Sequence, residues 1–324
     1  MSASAISIRG VEKSFAGRYA VRDLDLEIPR GSLCGVLGPN GAGKSTTIRM
    51  ILSIIYPDRG SIEVLGGSAL AAKDRIGYLP EERGLYRTMK VREYLTYIAR
   101  LKGVERRGLA QRVQSWLERI DLPDSGPRKC QELSKGMQQK VQFLAAVIHE
   151  PELVILDEPF SGLDPVNAVV LDRLIRELRA QGKTILLSTH VMYQAEKICD
   201  RLFLIHKGKK QLDASLPEIR ARFDPRTIRY EPLEMRAGRE DAFASVGGVV
   251  GARTTQDGAA YELALAEHAD SQAIMRDLLA LGPVRSVALE RVSLEEVFVR
   301  VVRQAEGERA AAEAQEDLAH AQGV

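Results

Sequence analysis

The amino-acid sequence predicts an α/β fold, a mostly parallel sheet with crossover helices, followed by a smaller α+β unit. Three observations carry that reading. Short apolar runs alternate with helical stretches through the first two thirds of the chain. One of these runs leads directly into a glycine-rich turn and then a helix. Beyond Ala214 the composition shifts and prolines at Pro225 and Pro232 interrupt the pattern.

In chain order, residues 6–8, 24–28 and 33–37 read as strands, and residues 45–55 carry apolar side chains at helical spacing up to Tyr56-Pro57, where proline ends a helix. Strands are expected at 61–65 and 76–79. Helices follow, with Val91, Leu95, Ile98 and then Val113, Leu117, Ile120 at helical intervals, so residues 88–140 form a helical insert. Strand-like runs resume at 153–156, 184–188 and 202–205, separated by helical stretches as parallel strands require. A domain boundary is expected near residue 220, dividing a main domain, 1–219, from an α+β unit, 220–303. That unit has strands at 227–231, 249–253, 261–266 and 284–289 and helices at 271–281 and 293–303. Residues 304–324, rich in alanine and glutamate without an apolar stripe, read as a frayed helix or a disordered tail.

Composition narrows the function classes. With 46 basic against 44 acidic residues the formal charge is +2, too small a bias to imply nucleic acid as a partner. Cys34, Cys130 and Cys199 are scattered, which disfavours a zinc site or a disulfide framework and fits a reducing cytoplasm. No apolar run approaches the ~18 residues that span a bilayer, so the chain is not expected to cross a membrane alone.

The chemistry begins at Gly38-Pro39-Asn40-Gly41-Ala42-Gly43-Lys44-Ser45, with Thr46 next, which fits GxxxxGK[ST] between a strand and a helix. Glycines let backbone N–H groups turn toward phosphate oxygens, the helix start adds positive potential, Lys44 neutralises phosphate charge and Ser45 can ligate Mg²⁺. Downstream, four apolar residues end in Asp157-Glu158, as when a buried strand delivers carboxylates to its tip. Asp157 then suits the magnesium shell and Glu158 the polarisation of an attacking water. Leu133-Ser134-Lys135-Gly136-Met137-Gln138-Gln139 opens a helix at which Ser134 and the Gly136 amide can form a second anion-binding start.

This last segment resembles the signature motif of ABC ATPases, usually LSGGQ, with lysine in place of the first glycine and methionine ahead of the glutamine. The resemblance covers residues 4–215 and implies a P-loop NTPase ABC cassette with a helical subdomain. Ser161-Gly162-Leu163-Asp164 resembles the D-loop, and His190 the switch histidine that contacts the γ-phosphate and orients the catalytic glutamate. Phe15 resembles the aromatic that stacks on adenine, with Tyr19 a competitor; Glu81 stands where most of the family has a glutamine that touches Mg²⁺. Residues 76–86 and 293–298 resemble the sodium-exporter-like branch of bacterial ABC-2 export ATPases, with its small C-terminal domain.

What the resemblance implies is an ATP- and Mg²⁺-dependent ATPase, Glu158 and His190 catalytic, pairing with a second copy or a homologous ATPase. Its membrane partner is a separate permease, which holds it peripherally on the cytoplasmic face. The competing reading is a soluble ABC ATPase of DNA repair or translation. Such proteins carry tandem cassettes or long coiled-coil insertions, and this chain has one cassette with no such insert.

Overall fold

A computed structural model describes residues 4–307, apart from 83, 225, 236–239 and 256, together with Gln315. The expected tail at 304–324 thus lies largely outside the described residues. The chain divides into two compact units, one of Met1–Leu216 with Phe298–Val324 and the other of Pro217–Val297. A single cut near residue 220 differs from this division in assigning the end of the last helix to the second unit.

In the first unit, β1 (Ser4–Phe15), β2 (Arg18–Pro29) and, after β3 (Leu33–Leu37) and α1 (Lys44–Ile51), β4 (Arg59–Val64) are followed by β5 (Ile76–Leu79). The helical insert holds α2 (Val91–Leu101) and α3 (Leu109–Arg119) and runs into α4 (Lys135–Val147). Then come β6 (Leu153–Asp157), α5 (Pro165–Ala180), β7 (Thr184–Thr189), α6 (Met192–Ile198), β8 (Arg201–His206) and β9 (Lys209–Ser215). Two sheets result. An antiparallel one has the order β2-β1-β4, and a six-stranded one the order β5-β6-β7-β3-β8-β9, parallel except where β9 pairs antiparallel with β8.

β3 and β6 are buried at every position, as expected of central parallel strands covered on both faces. β1 and β2 extend well beyond the short runs expected, because polar residues on the outer face continue the pairing through several register shifts. α1 stops at Ile51 rather than at residue 55. Ser53 adopts φ 56°, and the Ile54 and Ile55 amides both turn back to the Arg49 carbonyl, at 2.9 and 3.3 Å, which closes the helix before Pro57 is reached.

The second unit opens with α7 (Leu216–Phe223), whose first residue is still counted with the first unit, then β10 (Thr227–Pro232), α8 (Glu240–Ala244), β11 (Val249–Thr254), β12 (Tyr261–Leu265), α9 (Ser271–Ala280) and β13 (Val284–Leu289). α10 (Leu294–Glu306) is the last element, with Gly307 and Gln315 the described residues beyond it. The four strands form an antiparallel sheet ordered β11-β12-β10-β13. Ile228, Tyr230, Phe243, Tyr261, Leu263, Ile274 and Leu278 pack as its core. Among the described residues no helix is long and apolar enough to cross a membrane.

Candidate active site

Parallel register brings the chemistry to one edge of the six-stranded sheet. Leu37 of β3 pairs with Thr189 of β7, and Asp157 of β6 with Ser188 of β7. The carboxyl ends of these three neighbouring strands therefore carry, side by side, the glycine loop, Asp157-Glu158 and His190, in the crevice where open α/β sheets bind ligands.

The loop permits no side chains at its closest approaches. Gly38 has φ 157°, and a Cβ there would lie 2.2 Å from the Ile205 carbonyl oxygen; at Gly43, φ 107°, it would lie 2.5 Å from that of Ala20. Lys44, buried at the first position of α1, donates from Nζ to the carbonyls of Gly38 (2.7 Å) and Pro39 (3.2 Å) and lies 3.6 Å from Glu158. Burial pushes its pKa down, against the pull of Glu158, Asp157 and Glu81. Residues Asn40, Gly41, Ala42, Gly43, Lys44, Ser45 and Thr46 line a cavity of about 290 Å³ together with Ala20, Glu81 and Glu158.

Around this cavity acidic groups are held by specific partners. Ser188 donates a hydrogen bond to Asp157, whose carboxyl also meets the Ser45 hydroxyl. Burial raises the Asp157 pKa in spite of those bonds. Glu158 sits at φ 48°, a left-handed conformation that costs a non-glycine residue on the order of 1 kcal/mol. Its amide donates to the Ser188 carbonyl at 3.1 Å, and its carboxylate accepts from His190 Nδ1 at 2.9 Å, which keeps the imidazole in the Nδ1–H form. Glu81 is raised by burial first, then by Asp157 and Glu158. A lysine, three carboxylates and a histidine thus converge beneath a loop of backbone amides, an arrangement suited to phosphoryl transfer.

Ser134, Gly136 and Asp164 form a second cluster and do not line this cavity. Ser134 caps α4, accepting from the Met137 amide at 3.3 Å, and Asp164 caps α5, accepting from the Asn167 amide at 2.9 Å. The Asn167 side chain also bonds Asp164 and packs against Gly136, where a Cβ would stand 3.1 Å from its Nδ2. Two helix starts are thereby fixed together. Phe15 is half-exposed at the end of β1, with the Lys13 ammonium 5.5 Å from its ring centre; Tyr19 is equally exposed, with Arg22 over its ring. Neither ring lines the cavity; Ala20 does.

Sequence reasoning missed Ser188, Asn167, and two buried glutamines of α4, Gln139 and Gln142, which reach loops of the site. A serine directly after the apolar run Ile185-Leu186-Leu187, at the tip of an expected strand, is the sequence signal that could have found Ser188.

The profile of the ABC transporter family matches residues 21–161. A Bacillus subtilis (strain 168) protein, the uncharacterized ABC transporter ATP-binding protein YhaQ, is 42% identical over 301 residues, 92% of this chain and 98% of the relative. The chain belongs to the ATP-binding subunits of ABC transporters. As an ABC ATP-binding subunit it binds and hydrolyses ATP to drive transport. Residues 215–302 match the C-terminal domain of DrrA1-3-like ATP-binding proteins. The daunorubicin resistance ATP-binding protein DrrA3 of Streptomyces coeruleorubidus is 32% identical over 93% of this chain and 96% of its own length. A solved ATP-binding subunit of an ABC transporter is similar over 68% of this chain and 93% of its own, with a TM-score of 0.64 and 32% identity. The soluble DNA-repair or translation alternative has no support among these relatives.

Proposed function

We propose that this ABC subunit powers export through a separate permease, which holds it on the cytoplasmic face of the membrane, and that it works as a pair with a second copy or a homologous ATPase. In that pair each ATP lies between residues 38–46 of one chain and Ser134, Gly136 and Asp164 of the other. Two features support the sharing. The start of α4, capped by the neutral Ser134 hydroxyl and held beside Asp164 through Asn167, has anion-binding capacity, and this cluster lies outside the cavity of its own glycine loop. The resistance protein DrrA3 and the matching C-terminal domain support export.

Within each site Glu158 takes a proton from the water whose oxygen attacks the terminal phosphorus, and ADP leaves with the bridging oxygen. His190, hydrogen-bonded to Glu158, keeps the carboxylate aimed and reaches the terminal phosphate. Lys44 balances phosphate charge, and one of the exposed aromatics, Phe15 by resemblance, offers a face to adenine. The donors around the cavity fit Mg²⁺, a hard cation that takes oxygen ligands and keeps part of its water: the Ser45 hydroxyl and the Asp157 and Glu81 carboxylates would hold it. Bound there, it would offset charge on the phosphate oxygens.

The observation that carries this reading is the Lys44–Glu158–His190 arrangement beneath the glycine loop. Glu158→Gln preserves shape but removes the proton acceptor. Turnover is expected to fall by about a hundredfold or more while ATP binding is retained, read by phosphate release and nucleotide titration. Hydrolysis at the wild-type rate would remove Glu158 from the base role.

A further inference from the structure

The loop that follows β5 carries Glu81 into the nucleotide cavity, and what holds that loop is a side chain of α4. Gly77 lies in the middle of β5, where a Cβ would stand 2.0 Å from the Ala146 carbonyl oxygen of α4. Only glycine permits so close an approach. One helical turn before Ala146 is Gln142, almost wholly buried, and its Nε2 donates to the Pro80 carbonyl at 3.3 Å and the Glu82 carbonyl at 3.1 Å. The two acceptors flank Glu81. Its Oε1, also buried, has no hydrogen-bond partner among the described residues.

That asymmetry is informative. An unpaired buried acceptor lowers stability, and a leucine or methionine would fill the same space without it. A glutamine here is therefore explained by what its NH₂ group does, which is to grip the backbone on both sides of Glu81. Gln139, one turn earlier on the same face of α4, does the equivalent for the other catalytic loop, donating to the Pro159 carbonyl at 3.1 Å, next to Glu158. We propose that Gln142 is a positioning residue for Glu81, through which α4, the helix that begins at Ser134 and Gly136, sets the Glu81 loop against the nucleotide cavity. The proposal rests on the reading of Glu81 as a Mg²⁺ contact only for its catalytic consequence; the grip on the loop stands apart from it.

Two measurements on the full-length chain separate these parts. Gln142→Leu removes both donors at nearly constant volume, and Gln142→Glu keeps the shape while turning an acceptor toward the two carbonyls. In nucleotide-free protein without added metal, amide hydrogen exchange over residues 79–86 is expected to quicken by about tenfold in both variants, with the Gln142→Leu melting temperature at or above wild type. Exchange at the wild-type rate in both variants, with the fold intact, would overturn the proposal. In a Mg²⁺ titration of ATP hydrolysis, Gln142→Leu is expected to raise the half-maximal Mg²⁺ concentration by about threefold or more with little change in the KM for ATP, and to add no further shift in a Glu81→Ala background. A shift of equal size in that background would also overturn it, because Gln142 would then act elsewhere. Faster exchange combined with a Glu81→Ala titration that matches wild type would uphold the grip and reject Glu81 as a metal contact.

Discussion

The nucleotide corner of the first unit and the four-stranded sheet of the second are built on opposite principles. At the nucleotide corner Lys44, Asp157 and Glu158 are all nearly fully buried, Glu158 has a left-handed backbone, and Gly38 and Gly43 stand where no side chain fits. In the second unit β10 alternates, with Ile228, Tyr230 and Pro232 inward. The core there is apolar and aromatic: Tyr230 meets Phe243 edge-on at 5.2 Å, and Phe243 meets Tyr261 at 5.0 Å. Charge pairs such as Arg253–Glu262 and Arg285–Glu231 keep to the exposed face. One region gives up stability to gather charge around the cavity proposed to hold phosphate, and the other is organised around an apolar face whose central strand β10 alternates strictly. A substitution should therefore be felt as lost chemistry in the first and as lost stability in the second.

The largest effect is expected at Gly38. A methyl group there meets the backbone oxygen of Ile205, so Gly38→Ala must move the loop; nucleotide affinity is expected to drop by about a thousandfold, measured by titration with a fluorescent ATP analogue. An affinity within threefold of wild type would show that the loop tolerates displacement. Phe243→Leu should do the reverse. It thins the aromatic core, and a loss of about 1–2 kcal/mol in the second unit is expected, seen as faster amide exchange in β10 and β12 with nucleotide affinity unchanged.

The smallest effect sharpens the contrast within the first unit. His149, in the turn just past α4, is kept uncharged by burial and then by Lys102, with a pKa lowered to about 4. Its unfolded value is 6.5, so the unfolded chain binds the proton first. The stability it contributes is complete above pH 6.5 and is lost as pH falls through about 4. His149→Gln is expected to flatten the decline of melting temperature across that window, and an unchanged slope would place the acid sensitivity elsewhere.

What could be read from the sequence follows the same division. The glycine loop and the Asp157-Glu158 strand were legible because each is a contiguous pattern, and β10 of the second unit because its alternation is local. β9 was not read: its Lys209–Ser215 segment is a polar edge strand whose place depends on pairing with β8. Nor could Gln142 be read as functional, since a glutamine on a helix looks like a solvated position until Gly77 shows how closely β5 lies against α4. The resemblance named Phe15, yet the ring stands outside the cavity that Ala20 lines.

The central claim is that each ATP site is shared between two chains, and mixing two inactive chains tests it most directly. Lys44→Ala disables the phosphate-loop half of a site, and Gly136→Asp, which puts a carboxylate beside Asn167, disables the other half. A mixed pair then contains one site carrying both lesions and one carrying neither. Once exchange has been verified with differently tagged chains, the mixture is expected to recover roughly a quarter of wild-type ATP hydrolysis, half of the pairs being mixed and each having one intact site. Verified mixed pairs with no more activity than either parent would contradict the shared site.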